Sequence, residues 1–251
     1  MQINRAAIKA DAKQAIREAR PSVFLVTLVY LAIGFILEYL SMKVTGEDSR
    51  LMEMLKAAAE GYYYYPAGPD TSLLADFISA ALSIMSMMVG VGFTIYTLNV
   101  SRRVSAGYGN LLDGFAIFFK ALWLHILMFV FVFLWSLLFI IPGIVAAYRY
   151  RQALYILLDN PDMPALECIR ASKRMMTGRK WELFELDLSF IGWVLLSAIP
   201  FVILWTLPYM EVTYANYYQA LAHMPGGAGF GGGWPGDQGR GNDGGYRDPW
   251  E

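Results

Sequence analysis

The chain has 251 residues, 57% of them apolar and 16% charged, against about 45–50% and about 25% in soluble domains. Lysine and arginine number 20 against 21 acids, a net charge of −1, so no global field recruits nucleic acid and a nucleic-acid partner is not expected. One cysteine, Cys168, excludes an intrachain disulfide, and two histidines, His125 and His223, leave little material for a metal site.

Residues 1–21 carry Arg5, Lys9, Lys13, Arg17 and Arg20. Ile8, Ala12, Ala15, Ile16 and Ala19 recur at helical spacing on another face, which predicts a basic amphipathic helix on the inner leaflet, stopped by Pro21. Asp11, Glu18 and the lack of a convincing A-x-A cleavage site argue against a cleaved leader, so the N-terminus is expected in the cytoplasm. Its basic residues suit either a solvated leader or lipid headgroups. Residues 22–40 follow as an apolar run long enough to cross a bilayer. The loop at 41–72 is acidic, with a helix predicted from Ser49 to Glu60, apolar at Leu51, Leu55 and Ala58 and ended by Gly61. YYYYP at 62–66 reads as an interfacial aromatic anchor or as an adhesive loop.

A second span is predicted near 73–98, ending before Arg102 and Arg103. Its small residues, among them Ser79, Ser83, Ser86 and Gly90, follow steps of three and four and form a stripe for close helix packing. The block from Phe115 to Leu158 is too long for one crossing, and Pro142-Gly143 predicts a break, giving spans near 117–141 and 143–158. Arg149 and Arg151 stand in the second of these, about 200° apart on a helix, so they cannot share a partner. Their candidate partners are Asp159, Glu167 and Glu211. Residues 159–187 predict a basic interfacial helix, capped by Asp162, with Pro164 in its first turn, Arg170, Lys173 and Arg174 toward its end, and Gly178 as its stop. A span near 188–207, kinked by Pro200, and a shorter aromatic helix near 209–224 complete a membrane domain of 22–224. The glycine-rich 225–251 predicts a flexible tail.

Positive charge decides between topologies. If the chain reverses at Pro142-Gly143, the basic residues at 170–180 lie inside with the N-terminal ones, Arg102, Arg103 and Lys120. The expected fold is therefore all-α: a polytopic transmembrane bundle of about six membrane helices, one broken at Pro142-Gly143, with interfacial amphipathic helices.

LWSLLFIIPGIVAAYRYRQALYILLDNP from Leu134 to Pro161, ECIRASKRMMTGRKWELFELDLSFIGW from Glu167 to Trp193, and LPYMEVTYANYY from Leu207 to Tyr218 together resemble the domain of unknown function 975 family of bacterial integral membrane proteins. That resemblance implies a multi-spanning protein of the bacterial cell envelope, in the cytoplasmic membrane, with no established activity and no catalytic residues to carry over.

Catalytic chemistry is missing from the sequence itself. His125 has no partner histidine at i+4, the Gly90-Val91-Gly92 pair completes no nucleotide fingerprint, and Cys168 reads as a small packing residue. No catalytic, cofactor or metal residues are expected. Two functions stay open. One is a non-enzymatic membrane scaffold or envelope factor whose Lys9, Lys13, Arg17, Arg170, Lys173 and Arg174 contact anionic headgroups or another membrane protein. The other is a transporter or channel for a small, anionic solute, working through Arg149, Arg151, Asp159 and Glu211.

Overall fold

A computed structural model describes residues 3–62, 72–199 and 201–223. The 62–66 anchor beyond Tyr62, the kink at Pro200 and the tail at 225–251 lie outside the described residues. Every regular element among the described residues is a helix.

Helix α1 (Arg5–Glu18) begins where the Asn4 side-chain oxygen accepts from the N–H groups of Ala6 and Ala7, at 3.1 and 3.2 Å. Its apolar residues Ile8, Ala12 and Ala15 are buried against the protein, chiefly α12 (Ile203–Ala222) and also α4 (Leu73–Ser101). The face expected to rest on lipid is thus spent on the bundle.

Helix α2 (Val23–Thr45) pairs antiparallel with α4. Tyr96 donates to the Pro21 carbonyl at 3.4 Å, Tyr30 stacks on Phe93 at 4.4 Å, and the hydroxyls of Ser41 and Ser79 meet at 2.7 Å. Of the small-residue stripe, Ser79 and Gly90 meet α2 while Ser83 is exposed. The tightest approach lies elsewhere. A Cβ on Gly92 would overlap the Leu111 carbonyl, and one on Gly114 the Met88 carbonyl, because α5 (Asn110–Asp113) and the following 3-10 turn press their backbone onto α4. Helix α3 (Glu47–Glu60) starts two residues earlier than expected and is bounded by Gly46 and Gly61, both left-handed.

Helix α6 (Phe118–Leu138) stops four residues before Pro142, and α7 (Ile140–Tyr150) carries that proline in its first turn. Proline clashes with the carbonyl four residues back and cannot donate to it, so α6 ends at Leu138 and Phe139 is extended. The break therefore falls at Phe139 rather than at the Pro-Gly pair. The chain then doubles back: Gly143 lies against Ser136, and the Tyr150 ring is 6.1 Å from Phe131.

The segment 143–158, expected as one span, divides at Arg151-Gln152 into α7 and α8 (Ala153–Asp159). Helix α9 (Ala165–Met175) follows, with Pro164 at its N-cap and no side-chain cap; Asp162 instead lies 3.6 Å from Lys120. Gly178 is left-handed just beyond it, as expected of the stop. The stretch 188–207, expected as one span, is shared among α10 (Lys180–Leu188), α11 (Ile191–Leu196) and the start of α12, which absorbs the helix expected at 209–224.

Among the described residues, three stretches are long and apolar enough to cross a membrane: Val23–Thr45, Leu73–Ser101 and Asn110–Leu138. The packed core sits at the α1 end of these. Burial in α4 runs from Met88 onward apart from Ala75, while α2 buries only Val23, Val26 and Thr27, and α6 only Ala121 and Leu124. Helix α12 passes through that core, with Tyr217 and Tyr218 among its largest buried side chains.

Candidate functional site

The polar chemistry of the protein gathers where α1, α4, α8, α10 and α12 meet, in three linked groups. Arg102, at the end of α4, donates to both carboxylate oxygens of Asp159 at 2.9 and 3.0 Å, and Tyr218 donates to the same carboxylate at 2.6 Å. Burial pulls the Arg102 guanidinium below its ordinary range, against the upward pull of Asp159. One residue on, Arg103 adopts a left-handed backbone, φ 55°, and aims at α1, where it pairs with Asp11 and Glu18. Asp11 also accepts from Asn216 of α12 at 2.9 Å. The Gln14 amide and the Arg103 guanidinium hold the Glu18 carboxyl below its usual range.

The third group surrounds Asp187. Its carboxylate accepts from the Tyr148 and Tyr214 hydroxyls, each at 2.8 Å, and from Arg151 at 3.3 Å; the Arg151 guanidinium also stacks 4.5 Å from the Tyr214 ring centre. Three helices, α7, α10 and α12, are joined through one acid. Glu211 lies within electrostatic range of Arg151 and has no hydrogen-bonded partner among the described residues.

This arrangement redistributes the expected partners. Arg151 is met by Asp187, which its place before a span suggests is only a wet edge; Asp159 serves Arg102; Glu167 is exposed. Arg149 has no ion-pair partner among the described residues, and its carbonyl accepts from Ser172 at 2.7 Å, a bond that staples α9 to the α7–α8 turn. Arg102 and Arg103, read from sequence only as topology markers, carry two of the three groups. A sequence signal for the Asp159 and Asp187 groups lies on α12, where Tyr214 and Tyr218, which donate to those two carboxylates, stand four residues apart on one face.

The candidate headgroup contacts separate likewise. Lys9 turns inward, donating to the Ser189 hydroxyl at 2.6 Å and standing 4.2 Å over the Phe190 ring; burial, then Arg5 and Lys13, lower its pKa. Lys13, Arg17, Arg170, Lys173 and Arg174 are exposed and have no acidic partner among the described residues. Helix α9 buries Ala165, Cys168, Ile169, Ala171, Ser172 and Met175 and so presents its basic edge outward. Cys168 is buried, and burial pushes its thiol up to about 11, a packing residue rather than a nucleophile. His125 bonds the Ala121 carbonyl at 2.8 Å, a turn back along its own helix. Among the described residues no three His, Cys, Asp or Glu side chains are placed to hold a metal.

Among the described residues, an all-helical fold with three stretches able to cross a membrane and a polar core at one end defines the class. Within it, residues 137–224 match the family described as protein of unknown function (DUF975). The matched stretch runs from the end of α6 to α12 and so contains Arg149, Arg151, Asp159, Asp187 and Glu211. No curated protein and no solved structure matches the chain.

Proposed function

We propose that this is a non-enzymatic scaffold or envelope factor of the bacterial cytoplasmic membrane, multi-pass, with its N-terminus in the cytoplasm, whose exposed basic edge gathers anionic lipid headgroups. A single observation carries the reading: ion pairing at the α1 end takes up most of the acids, though not Glu167 or Glu211, and leaves more bases than acids over. Asp11, Glu18, Asp159, Asp162, Glu182, Glu185 and Asp187 each face a cation within the protein, while Lys13, Arg17, Arg170, Lys173 and Arg174 are left over. The net charge of −1 for the whole chain conceals a local surplus of positive charge, and each such residue near an anionic leaflet is worth about 1 kcal/mol. The positive-inside bias puts this end in the cytoplasm.

The test is the lipid that co-purifies in nanodiscs drawn directly from mixed anionic and zwitterionic membranes. The chain is expected to enrich anionic lipid, and Arg170→Gln/Lys173→Gln/Arg174→Gln to lose most of that enrichment. Equal enrichment by both, or a protein adduct in its place when crosslinkers are set at these positions, refutes the lipid reading.

One observation favours a second reading, transport. Glu211 stands inside the bundle beside Arg151 without a hydrogen-bonded partner among the described residues. Because Arg151 is met by both Asp187 and Glu211, the group holds more negative than positive charge, so a proton or a cation suits it better than the anion suggested by the arginines alone. Flux of protons or monovalent cations in proteoliposomes that survives Glu211→Gln and Arg149→Gln unchanged dismisses it.

A further inference from the structure

Helix α3 is amphipathic, yet it turns its polar shoulder to the protein. At 100° per residue, Leu51, Met52, Met54, Leu55, Ala58 and Ala59 fall within an arc of about 160°, and Arg50, Glu53, Lys56 and Glu60 fall outside it; Glu47 and Asp48 of the first turn lie over the same arc, at the joint with α2. The single buried residue of α3, Ala57, lies outside the arc as well. Leu51, Met52, Met54 and Leu55 are 48%, 67%, 48% and 57% exposed, so the apolar face has no cover among the described residues. The joint with α2 is built: left-handed Gly46 turns the backbone, Lys43 pairs with Asp48 across the turn, and Ser49 donates to the Gly46 carbonyl at 3.0 Å.

We propose that α3 lies in the headgroup–acyl boundary of the leaflet farther from α1, its apolar arc in lipid and its acidic edge in water. Continuity supplies the occupant. The exposed apolar side chains of the last turns of α2, Tyr39, Leu40 and Val44, and of the first turns of α4, Leu73, Leu74 and Phe77, stand at the same end of the bundle, since Ser41 and Ser79 are bonded there. An apolar surface that runs from two crossing helices onto a third, crossed at the joint by Glu47 and the Lys43–Asp48 pair, is covered most simply by the lipid that covers the first two. Charge narrows the lipid. Helix α3 carries Glu47, Asp48, Glu53 and Glu60 against Arg50 and Lys56, so it has no pull toward anionic headgroups, and zwitterionic lipid is enough. The inference rests on α2 and α4 crossing a bilayer.

The experiment uses the full chain in phosphatidylcholine nanodiscs, with an environment-sensitive fluorophore on a cysteine at one of four positions: Leu55→Cys and Met52→Cys on the apolar arc, Glu60→Cys on the acidic edge, and Phe35→Cys within α2. Cys168 is buried and stays unlabelled in the folded protein. The probes at 52 and 55 are expected to be quenched at least threefold more by shallow spin-labelled lipid than by aqueous iodide, with the order reversed at 60. Equal access of iodide to 55 and 60 overturns the proposal. Protection of 52 and 55 from both quenchers, with disulfide-linked dimers when the unlabelled variants are oxidised, also overturns it and assigns the face to a second copy. Phe35→Cys separates the two failures: quenching there by deep spin label keeps the crossing of α2 standing when α3 fails, and its loss removes the crossing itself.

Discussion

Replacing Arg102 by Met should be among the most damaging single changes outside the apolar core. The Arg102 side chain is 9% exposed and that of Asp159 18%, so solvent screens the pair little. Removing one partner of a buried pair costs about 3–5 kcal/mol, and the residual exposure of Asp159, with the Tyr218 hydroxyl still donating to it at 2.6 Å, puts Arg102→Met near 3 kcal/mol, roughly the low end of that range. Asp159→Asn keeps an acceptor for Tyr218 but gives up the charge, about 1.5–3 kcal/mol. The double variant should cost no more than the worse single, leaving a coupling of about 2 kcal/mol. The protein supplies its own reporter. Cys168, the only cysteine, is fully buried with its thiol pushed up to about 11, so a thiol-reactive fluorophore registers unfolding during a denaturant titration in micelles. Effects of the two substitutions that simply add, within about 0.5 kcal/mol, would refute the reasoning that the pair acts as a unit.

Three further outcomes are expected. Gly92→Ala and Gly114→Ala drive a methyl group into backbone carbonyls and should each cost about 1–3 kcal/mol in the same titration, whereas Gly90→Ala, whose Cβ would stand 3.9 Å from the Tyr30 hydroxyl, should be neutral or slightly stabilising as a helix substitution; equal effects at 90 and 92 would contradict the packing. Asp187→Asn should loosen α10 from α7 and α12 by about 1 kcal/mol, discounted because Arg151 is 40% exposed, and amide exchange across 180–188 should rise; unchanged exchange there would sink this. Acid should free α1. Because the folded pKa of Glu18 is lowered, its contribution is present above the ordinary glutamate value of about 4.3 and is lost as pH falls through the lowered one, so exchange protection of residues 5–18 should hold near neutrality and fall away in acid, with Arg103→Gln reproducing the loss at neutral pH. Protection unchanged by both would leave α1 held by apolar packing alone.

The elements governed by local chemistry were legible in the sequence. The glycine stops at 61 and 178, the helix of 165–175 and the reversal after α6 follow from residues that act within one turn of themselves. Even the error at Pro142 is local: the proline was read as the break itself, although its effect falls on the carbonyl of Leu138 and it is welcome in the first turn of α7. Apolar length misled at 143–158 and 188–207, because a run rich enough to span can equally be cut into short helices, α8 buried in the core and α11 exposed. What could not be read was pairing across distance. Arg102 finds Asp159 and Arg103 finds Asp11 only because α4 ends beside both α8 and α1. No spacing within a helix announces those contacts, and the choice among acids for Arg151 fell on one placed before a different helix.

The same geometry explains why the two ends of the bundle should answer differently to change. At the α1 end, α4 is buried from Met88 onward and the charges at its end are held by two other helices, α8 and α1, so cohesion there is internal. At the far end, Leu137, Leu138, Phe139, Ile140 and Ile141 form the exposed turn between α6 and α7, each more than 60% exposed, and cohesion must come from whatever apolar phase surrounds them. A bilayer does not compete with itself for such side chains, so swapping one aliphatic residue for another, as in Ile141→Leu, changes nothing it can sense, while a charge at the same place forfeits about 2.5–3.5 kcal/mol if the tip lies near the bilayer centre and less toward its surface. Ile141→Asp therefore gauges the depth of the turn. A cost near zero in lipid would put the α6–α7 tip in water and leave Phe139 as the hinge of a surface hairpin rather than of a membrane one.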